Sequence, residues 1–265
     1  MIRAAVTGVC GRMGALIVNN ILSSENMELS AGFDITNIGM DVGEVIGTGN
    51  LGVPVSGPDD MESVIRDSGT QVVIDFTIAA AAAENVVKAA SAGSDLVMGT
   101  TGFSDEQVER MHVAIADNKV SAVISPNFAV GVNIFWELLE EAARHLEGFD
   151  VEIIEIHHNM KKDAPSGTAV KAAQVINKVL GGREYVYGRQ GLAPRGDEIG
   201  IHAIRGGDVV GDHTVLFFGD GERIEIRHQA HSRQAFAGGA VRAARWLMDQ
   251  PPGVYGMDDV LGLKS

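Results

Sequence analysis

The segment "AAVTGVCGRMG", residues 4–14, decides how the first half of the chain folds. A short β-forming run ends at Thr7, glycines stand at 8, 11 and 14, and an amphipathic stretch, "RMGALIVNNILSS", begins at once. A dinucleotide fold needs small residues between its first strand and first helix. One serves the tight turn, and the others serve pyrophosphate approach and helix packing. The spacing departs from G-x-G-x-x-G, because position 10 is Cys and the second glycine comes one residue later. A tight turn in any α/β protein also accounts for three glycines, so the surroundings must discriminate.

Outward from this loop the first half alternates. "MELSAGF" is followed later by "QVVIDFT" then "AAAENVVKAASAG", by "DLVMGTT" then "DEQVERMHVAIADN", and by "SAVIS". Short β-branched runs between amphipathic stretches predict a parallel sheet covered by helices on both faces. Asp34 falls at the end of the second predicted strand, where a carboxylate accepts hydrogen bonds from the adenosine ribose hydroxyls. Ile35, Thr36 and Asn37 follow it, and none is basic, so NADH is expected as the preferred cofactor, with NADPH possible. "MGTTG" (Gly99 to Gly102 after Met98) and "SPNFAVGVN" (Ser125 to Asn133) would lie at the carboxyl ends of strands, the edge where open α/β sheets bind ligands. Thr100, Thr101 and Asn127 supply polar groups for a ribose or carboxamide, and all are equally at home as turn residues. Asp75-Phe76-Thr77 forms a third such end. The Gly-rich span from Ile35 to Pro58 has weak periodicity, and a mobile surface segment with one short helical turn is expected there.

The second half has a different pattern. "NIFWELLEEAARHLEG" predicts a long helix with Ile134, Phe135, Leu138, Leu139, Ala142 and Leu146 on one side. "VEIIEIHH" reads as a strand, and "SGTAVKAAQVINKVLGG" as a helix with a polar start and a Gly181-Gly182 stop. "IGIHAI", "DHTVLFFG" and "RIEIRHQA" read as strands, the last two joined by a "GDGE" hairpin turn. The end of the chain reads as a helix stopped by Pro251-Pro252, which would return to the first domain. The fold class expected is therefore α/β: a Rossmann-like dinucleotide-binding domain with a parallel sheet, plus a second α+β substrate-binding domain with a mostly open mixed sheet.

Composition narrows the function. The formal net charge of -14 argues against a nucleic-acid or anionic-membrane surface. Cys10 is the sole cysteine, which excludes a disulfide framework and a Cys-based zinc site. No apolar run in the 265 residues is long enough to span a bilayer, and "MIRAAVTG" has no secretory pattern, so a soluble cytoplasmic protein is expected.

Against that acidic background, "EIHHNMKKDAPSGTA", residues 155–169, gathers positive charge and a proton donor. His157 and His158 are adjacent at a strand end and should point in different directions. Lys161 lies just beyond, and Ser166, Gly167 and Thr168 form a helix mouth with unpaired N–H groups, an anion site. Each part has a plain structural reading: a His pair as packing, Lys161 and Lys162 as solvated loop, Ser166 or Thr168 as an N-cap, Asp163 as a partner for either lysine. Their coincidence within a short span favours a site for a negatively charged small molecule. No metal is expected, because adjacent histidines diverge and no further ligand stands at helical spacing. Of the remaining histidines, His112 and His145 sit in helical patterns at the surface; Arg205-Gly206-Gly207 could approach the substrate or simply make a turn, and the turn is the favoured reading.

"VTGVCGRMG", "IDFT", "MGTTG", "NFAVGVN", "IRGGDVVGDHTVLF", "MDDVLGL" and above all "EIHHNMKKDAPSGTA" together resemble the 4-hydroxy-tetrahydrodipicolinate reductase (dihydrodipicolinate reductase) family over essentially the whole chain. The resemblance implies a discontinuous dinucleotide-binding domain, residues 1–128 and 236–265, around a substrate-binding and oligomerisation domain, residues 129–235. It implies hinge motion on binding, a homotetramer, and NAD(P)H-dependent reduction of a small cyclic dicarboxylate in lysine and diaminopimelate biosynthesis. Cofactor contacts are implied for Gly8, Val9, Cys10, Gly11, Arg12, Met13, Asp34, Gly99, Thr100, Thr101, Ser125, Pro126, Asn127 and Phe128. His157 is implied as proton donor with Lys161 as second acid, and His158, Lys161, Ser166, Gly167 and Thr168 as holders of the substrate carboxylates. Two other readings share the glycine loop. One is a different NAD(P)-dependent dehydrogenase of an amino acid or semialdehyde, and the other is a non-catalytic NADH-binding regulator.

Overall fold

Strand β1 (Ile2–Thr7) is buried from Ala4 to Thr7 on both faces, as a central parallel strand must be. In the computed structural model, which describes residues 1–263, it leads into α1 (Arg12–Leu22) and β2 (Met27–Phe33). There follow α2 (Val42–Ile46), β3 (Val55–Ser56), α3 (Met61–Ser68), β4 (Val72–Asp75), α4 (Ala79–Ser91), β5 (Asp95–Met98), α5 (Asp105–Asn118) and β6 (Ser121–Ile124). The next stretch holds α6 (Val130–His145), β7 (Asp150–His157), α7 (Gly167–Leu180), β8 (Glu184–Tyr187), β9 (Glu198–Arg205), β10 (Gly211–Gly219) and β11 (Glu222–Ala230). The chain closes with α8 (Gln234–Leu247), β12 (Gly253–Tyr255) and α9 (Met257–Leu261). It divides into two compact units, Met1–Ala129 with the segment from Gln234 onward, and Val130–Arg233.

The first unit is a seven-stranded sheet in the order β12-β6-β5-β4-β1-β2-β3, parallel throughout. Strand order reverses between β1 and β4, so the loops leaving those two strands flank the switch point where such sheets bind ligands. Helices α1 and α8 build one apolar layer with Ile17, Ile21, Ala240 and Leu247, and α3, α4 and α5 build the other with Ile65, Val86 and Met111. The span after β2 is not the mobile surface segment expected. Asp41 caps α2 by accepting from Gly43 and Glu44 and also accepts from Leu51 and Val53, while Val42 and Val55 are buried. One carboxylate satisfies four backbone donors there, which supplies order that apolar periodicity does not announce.

The second unit is a five-stranded mixed sheet, β11-β10-β7-β9-β8, in which β7, β9 and β8 run parallel and β10 and β11 are antiparallel to their neighbours. The hairpin between β10 and β11 turns through Asp220-Gly221, with Gly221 at φ +84°. Helices α6 and α7 cover one face, over Val151, Ile153, Val215 and Phe217. The buried stripe of α6 is Val132, Phe135, Trp136, Leu139 and Ala143, and this corrects the expected face: Ile134 and Leu138 stand exposed. The helix starts three residues before the amphipathic motif suggests, and Trp136 ties it to α7 by donating Nε1–H to the Thr168 carbonyl at 3.2 Å. Among the described residues no helix of this unit covers the opposite face, where Ile154, Ile156, Ile204, Leu216 and Phe218 remain partly open.

Candidate active site

The glycine loop fits a dinucleotide. Gly8 has φ +63°, the left-handed region that side chains disfavour. Gly11 donates to Gly8 O at 2.9 Å and caps α1 without a side-chain bond, leaving the first N–H groups of the helix open to an anion. A Cβ on Gly14 would collide with the Gly8 carbonyl, so that glycine sets the close approach of helix to loop. Arg12 is exposed and Met13 half-buried at the helix start. Val9 is fully buried, so any ligand contact from it is through the backbone.

Asp34 sits just past β2, its carboxylate accepting from Cys10 N–H (3.0 Å), Thr36 N–H (3.1 Å) and the Thr36 hydroxyl (3.0 Å). The following Ile35 is 80% exposed, and no cation stands beside the carboxylate in the loop that follows.

At the next strand end, Asp75 proves central. It is fully buried and accepts from Thr77 N–H (2.8 Å), the Thr77 hydroxyl (2.7 Å) and Asn85 (2.7 Å). Thr100 donates its hydroxyl to the Thr77 carbonyl at 3.1 Å, which ties the loop after β5 to the loop after β4; Thr101 alone of the pair faces solvent. A Cβ at Gly99 would enter the Phe76 ring. Ser125 and Asn127 hold each other in a tight turn, the Ser125 hydroxyl donating to Asn127 O at 2.9 Å, beside the exposed Pro126. Phe128 is buried against Phe76, so its role there is packing.

The second unit assembles the charged cluster. Strand β7 alternates Val151, Ile153, Glu155 and His157 onto its helix-covered face. Glu155 has no exposed surface. It accepts from His157 Nδ1 (2.6 Å), from Arg205 Nη1 and Nη2 (2.7 Å each) and from Ser166 N–H (2.9 Å). Burial alone would raise its pKa, but hydrogen bonds from His157, Arg205 and Ser166 hold it at about 2. On β10, His213 is 3% exposed, pairs through Nε2 with the Ser166 hydroxyl at 2.9 Å, and meets the His157 ring edge-on at 5.2 Å. Burial and repulsion from His157 push it down to about 3, so it is neutral near pH 7.

His158 leaves the strand, its N–H donating to Val209 O at 2.8 Å and its side chain half-buried. Lys161 pairs with Asp163 at 2.9 Å, and Lys162 is exposed. Burial raises the Asp163 pKa, but the Lys161 ammonium outweighs it and leaves the carboxyl below its ordinary value. Ser166 is the N-cap of α7, accepting from Ala169 N–H at 3.3 Å, and its side chain is turned into the interior. Gly167 is exposed with open space around it, so the mouth of α7 is accessible at that residue. A cavity of about 600 Å³ opens beside Pro165, Tyr187 and Ala203.

The structure thus gathers His157 and Ser166 around one buried carboxylate, with Gly167 next in the chain. It corrects the reading of Arg205, whose guanidinium clamps Glu155 and also donates to Asp163 O at 2.6 Å instead of merely opening a turn. Glu155 and His213 were not singled out from the sequence. Glu155 left a signal, since it shares the inward face of β7 with His157 at a position where Val151 and Ile153 are apolar. Arg205 and His213 reach the cluster only through cross-strand pairing, His157 with Arg205 and Glu155 with His213. Among the described residues no group of three or more His, Cys, Asp or Glu is placed to hold a metal ion.

Residues 2–128 match the family model for the N-terminal part of dihydrodipicolinate reductase, and residues 131–261 match that for its C-terminal part. The chain belongs to the dihydrodipicolinate reductase family. Relatives of this family include the 4-hydroxy-tetrahydrodipicolinate reductase of Methanococcoides burtonii, 62% identical over 99% of this chain and 100% of that one. The protein of the same name from Methanocaldococcus jannaschii is 52% identical over 100% of this chain and 99% of that one. Among solved structures, dipicolinate-bound dihydrodipicolinate reductase from Paenisporosarcina sp. TG-14 superposes with a TM-score of 0.80 at 32% identity, covering 98% of this chain and 99% of that one. The α/β architecture, a Rossmann-like parallel sheet plus a mixed sheet, is that of the family. No helix among the described residues is long and apolar enough to cross a membrane.

Proposed function

We propose that the chain catalyses the NAD(P)H-dependent reduction of 4-hydroxy-tetrahydrodipicolinate to tetrahydrodipicolinate and water, a step of lysine and diaminopimelate biosynthesis in the cytoplasm. The observation that carries this reading is the Glu155-held His157 beside the open mouth of α7. A dicarboxylate suits that mouth: one carboxylate takes the N–H groups and positive dipole end at Gly167 and Thr168, with His158 and Lys161 as further cationic or donor partners. Ser166 contributes its place at the cap, its hydroxyl being committed to His213 and Ala169. The relative from Paenisporosarcina binds dipicolinate, a flat ring with two carboxylates, as the same chemistry would require.

A reduced nicotinamide dinucleotide, when bound, supplies the hydride. In the first unit, the loop from Gly8 to Met13 and the N-terminus of α1 would hold its pyrophosphate, with Asp34 on the ribose and the loops at Gly99–Thr101 and Ser125–Phe128 toward the nicotinamide end. NADH is favoured over NADPH because Asp34 would repel a 2′-phosphate and no cation follows it. His157 delivers a proton to the ring as the hydride adds, and Lys161 acts as the second acid group. Carboxylate capture fixes the ring so that both transfers occur from one geometry. The open face of the second sheet carries Ile154 and Ile156 on β7, Leu216 and Phe218 on β10, and the Glu152–Arg189–His202 ion cluster, and supports assembly into a homotetramer through that face.

The test is oxidation of NADH, followed by absorbance, with substrate made in place from pyruvate and aspartate semialdehyde by the preceding synthase, and NADPH run in parallel. Synthase-dependent oxidation, faster with NADH, is expected. A folded protein that binds NADH but gives no oxidation would sink the assignment.

A further inference from the structure

We infer that Glu155, clamped by Arg205, is a positioning residue: it fixes the proton of His157 on Nδ1 and leaves Nε2 as the atom that donates. The inference deepens the proposed reductase activity and rests on that reading.

Four donors converge on the two carboxylate oxygens. His157 Nδ1 and Arg205 Nη1 meet Oε2, and Arg205 Nη2 and Ser166 N–H meet Oε1. An arginine and a backbone N–H cannot accept a proton, so Glu155 stays ionised and acts only as an acceptor. Nδ1 of His157 must therefore carry hydrogen in both protonation states of the ring. Nε2 lies over Gly211 of the neighbouring strand, where a Cβ would come within 2.9 Å of it. A residue larger than glycine at 211 would press on the donating atom.

The proton step balances simply. The substrate's hydroxyl leaves with a neighbouring ring hydrogen as water and opens a conjugated C=C. The imidazolium then gives its Nε2 proton to one carbon of that double bond while the hydride forms a C–H bond at the other. The neutral imidazole that remains keeps Nδ1–H on Glu155 and regains its proton from water at Nε2. The charged and titratable groups facing His157 are Glu155 from β7, Arg205 from β9 and His213 from β10; α7 presents only Ser166. The single negative charge of Glu155 thus meets the Arg205 guanidinium and the His157 ring, and His213 adds no charge while neutral.

The decisive variant is Glu155→Gln. In the Oε1 position its amide NH2 would face two fixed donors, Ser166 N–H and Arg205 Nη2, and in the Oε2 position one, Arg205 Nη1, together with His157. It therefore turns toward His157, which alone can answer by presenting a lone pair at Nδ1 and moving its hydrogen to Nε2. Expected are a kcat lower by about 10²-fold or more, with KM and NADH affinity changed only a few-fold, and a changed pH profile of kcat, since the ring has lost the carboxylate beside it. Nitrogen-15 NMR of the imidazoles, assigned by subtracting the His157→Gln spectrum, should show Nδ1–H in the parent and Nε2–H in the variant. An Nε2–H tautomer in the parent overturns the inference, and so does a Gln variant with unchanged turnover and pH profile. Should Glu155→Gln not fold, Gly211→Ala decides in its place: kcat must fall while the Nδ1–H tautomer stays, and undiminished kcat overturns the inference. A parent that shows Nδ1–H yet turns over no substrate would refute the activity and leave the positioning intact.

Discussion

Glu155 should make the second unit measurably acid-labile, and the size of the effect follows from its surroundings. An ordinary glutamate pKa of 4.5 is brought to about 2 here, against the burial that would raise it, by His157, Arg205 and Ser166. A difference of that size is worth about 3 kcal/mol of stability, at about 1.4 kcal/mol per pKa unit. Because the fold lowers this pKa, the contribution is complete above pH 4.5 and drains away as the pH falls toward 2. Roughly 2 kcal/mol of it should disappear between pH 5 and pH 3. The chain has two tryptophans, and Trp136 lies in the second unit while Trp246 lies in the first. In a Trp246→Phe background, urea unfolding followed by Trp136 fluorescence therefore reports the unit that holds Glu155. Glu155→Gln adds a pH-independent penalty by stranding Arg205, so the observable is the slope. The stability gap between parent and variant should narrow by about 2 kcal/mol from pH 5 to pH 3. Curves that stay parallel over that range would refute the claim that Glu155 is held ionised by the fold.

Other expectations concern binding and assembly. His157→Ala and Lys161→Ala should each lower kcat by about 10²-fold or more while NADH binding, measured by fluorescence titration, stays near that of the parent; unchanged turnover in His157→Ala would remove that residue from the chemistry. Asp34→Ala should weaken NADH by about tenfold, the scale of hydrogen bonds to a charged group, and calorimetry showing equal affinity would end the ribose assignment. Ile154→Glu places charge in the middle of the open sheet face and should convert a tetramer to smaller species in sedimentation; a parent that sediments as a monomer would dispose of the assembly claim.

Much of this was legible in the sequence because it is local. The glycine at 8, the short β-branched runs and the Ser166 cap are each dictated by neighbours a few residues away, and each occurs where the pattern places it. The strands β3, β8 and β12 were not legible, being short and added at the edges of sheets whose central strands carry the apolar signal. The order in the span from Ile35 to Pro58 depends on Asp41 answering four backbone groups, the last 12 residues away at Val53. The acid cluster shows the same limit. Strand alternation puts Glu155 and His157 on one face, but only the pairing of β7 with β9 brings Arg205, 50 residues distant, to that carboxylate.

Because α8, β12 and α9 complete a sheet and core begun by the first 129 residues, synthesis and folding of the first unit cannot keep step. When Arg233 has been added, the second unit has its entire sequence, but β6 still lacks β12, and the layer beside α1 lacks Ala237, Ala240, Val241, Ala244 and Leu247. A nascent chain halted there exposes apolar surface that α8, β12 and α9 cover in the folded unit. Premature termination before α8 and β12 are complete therefore leaves a dinucleotide unit with an open edge and an open core, a species suited to chaperones or to aggregation.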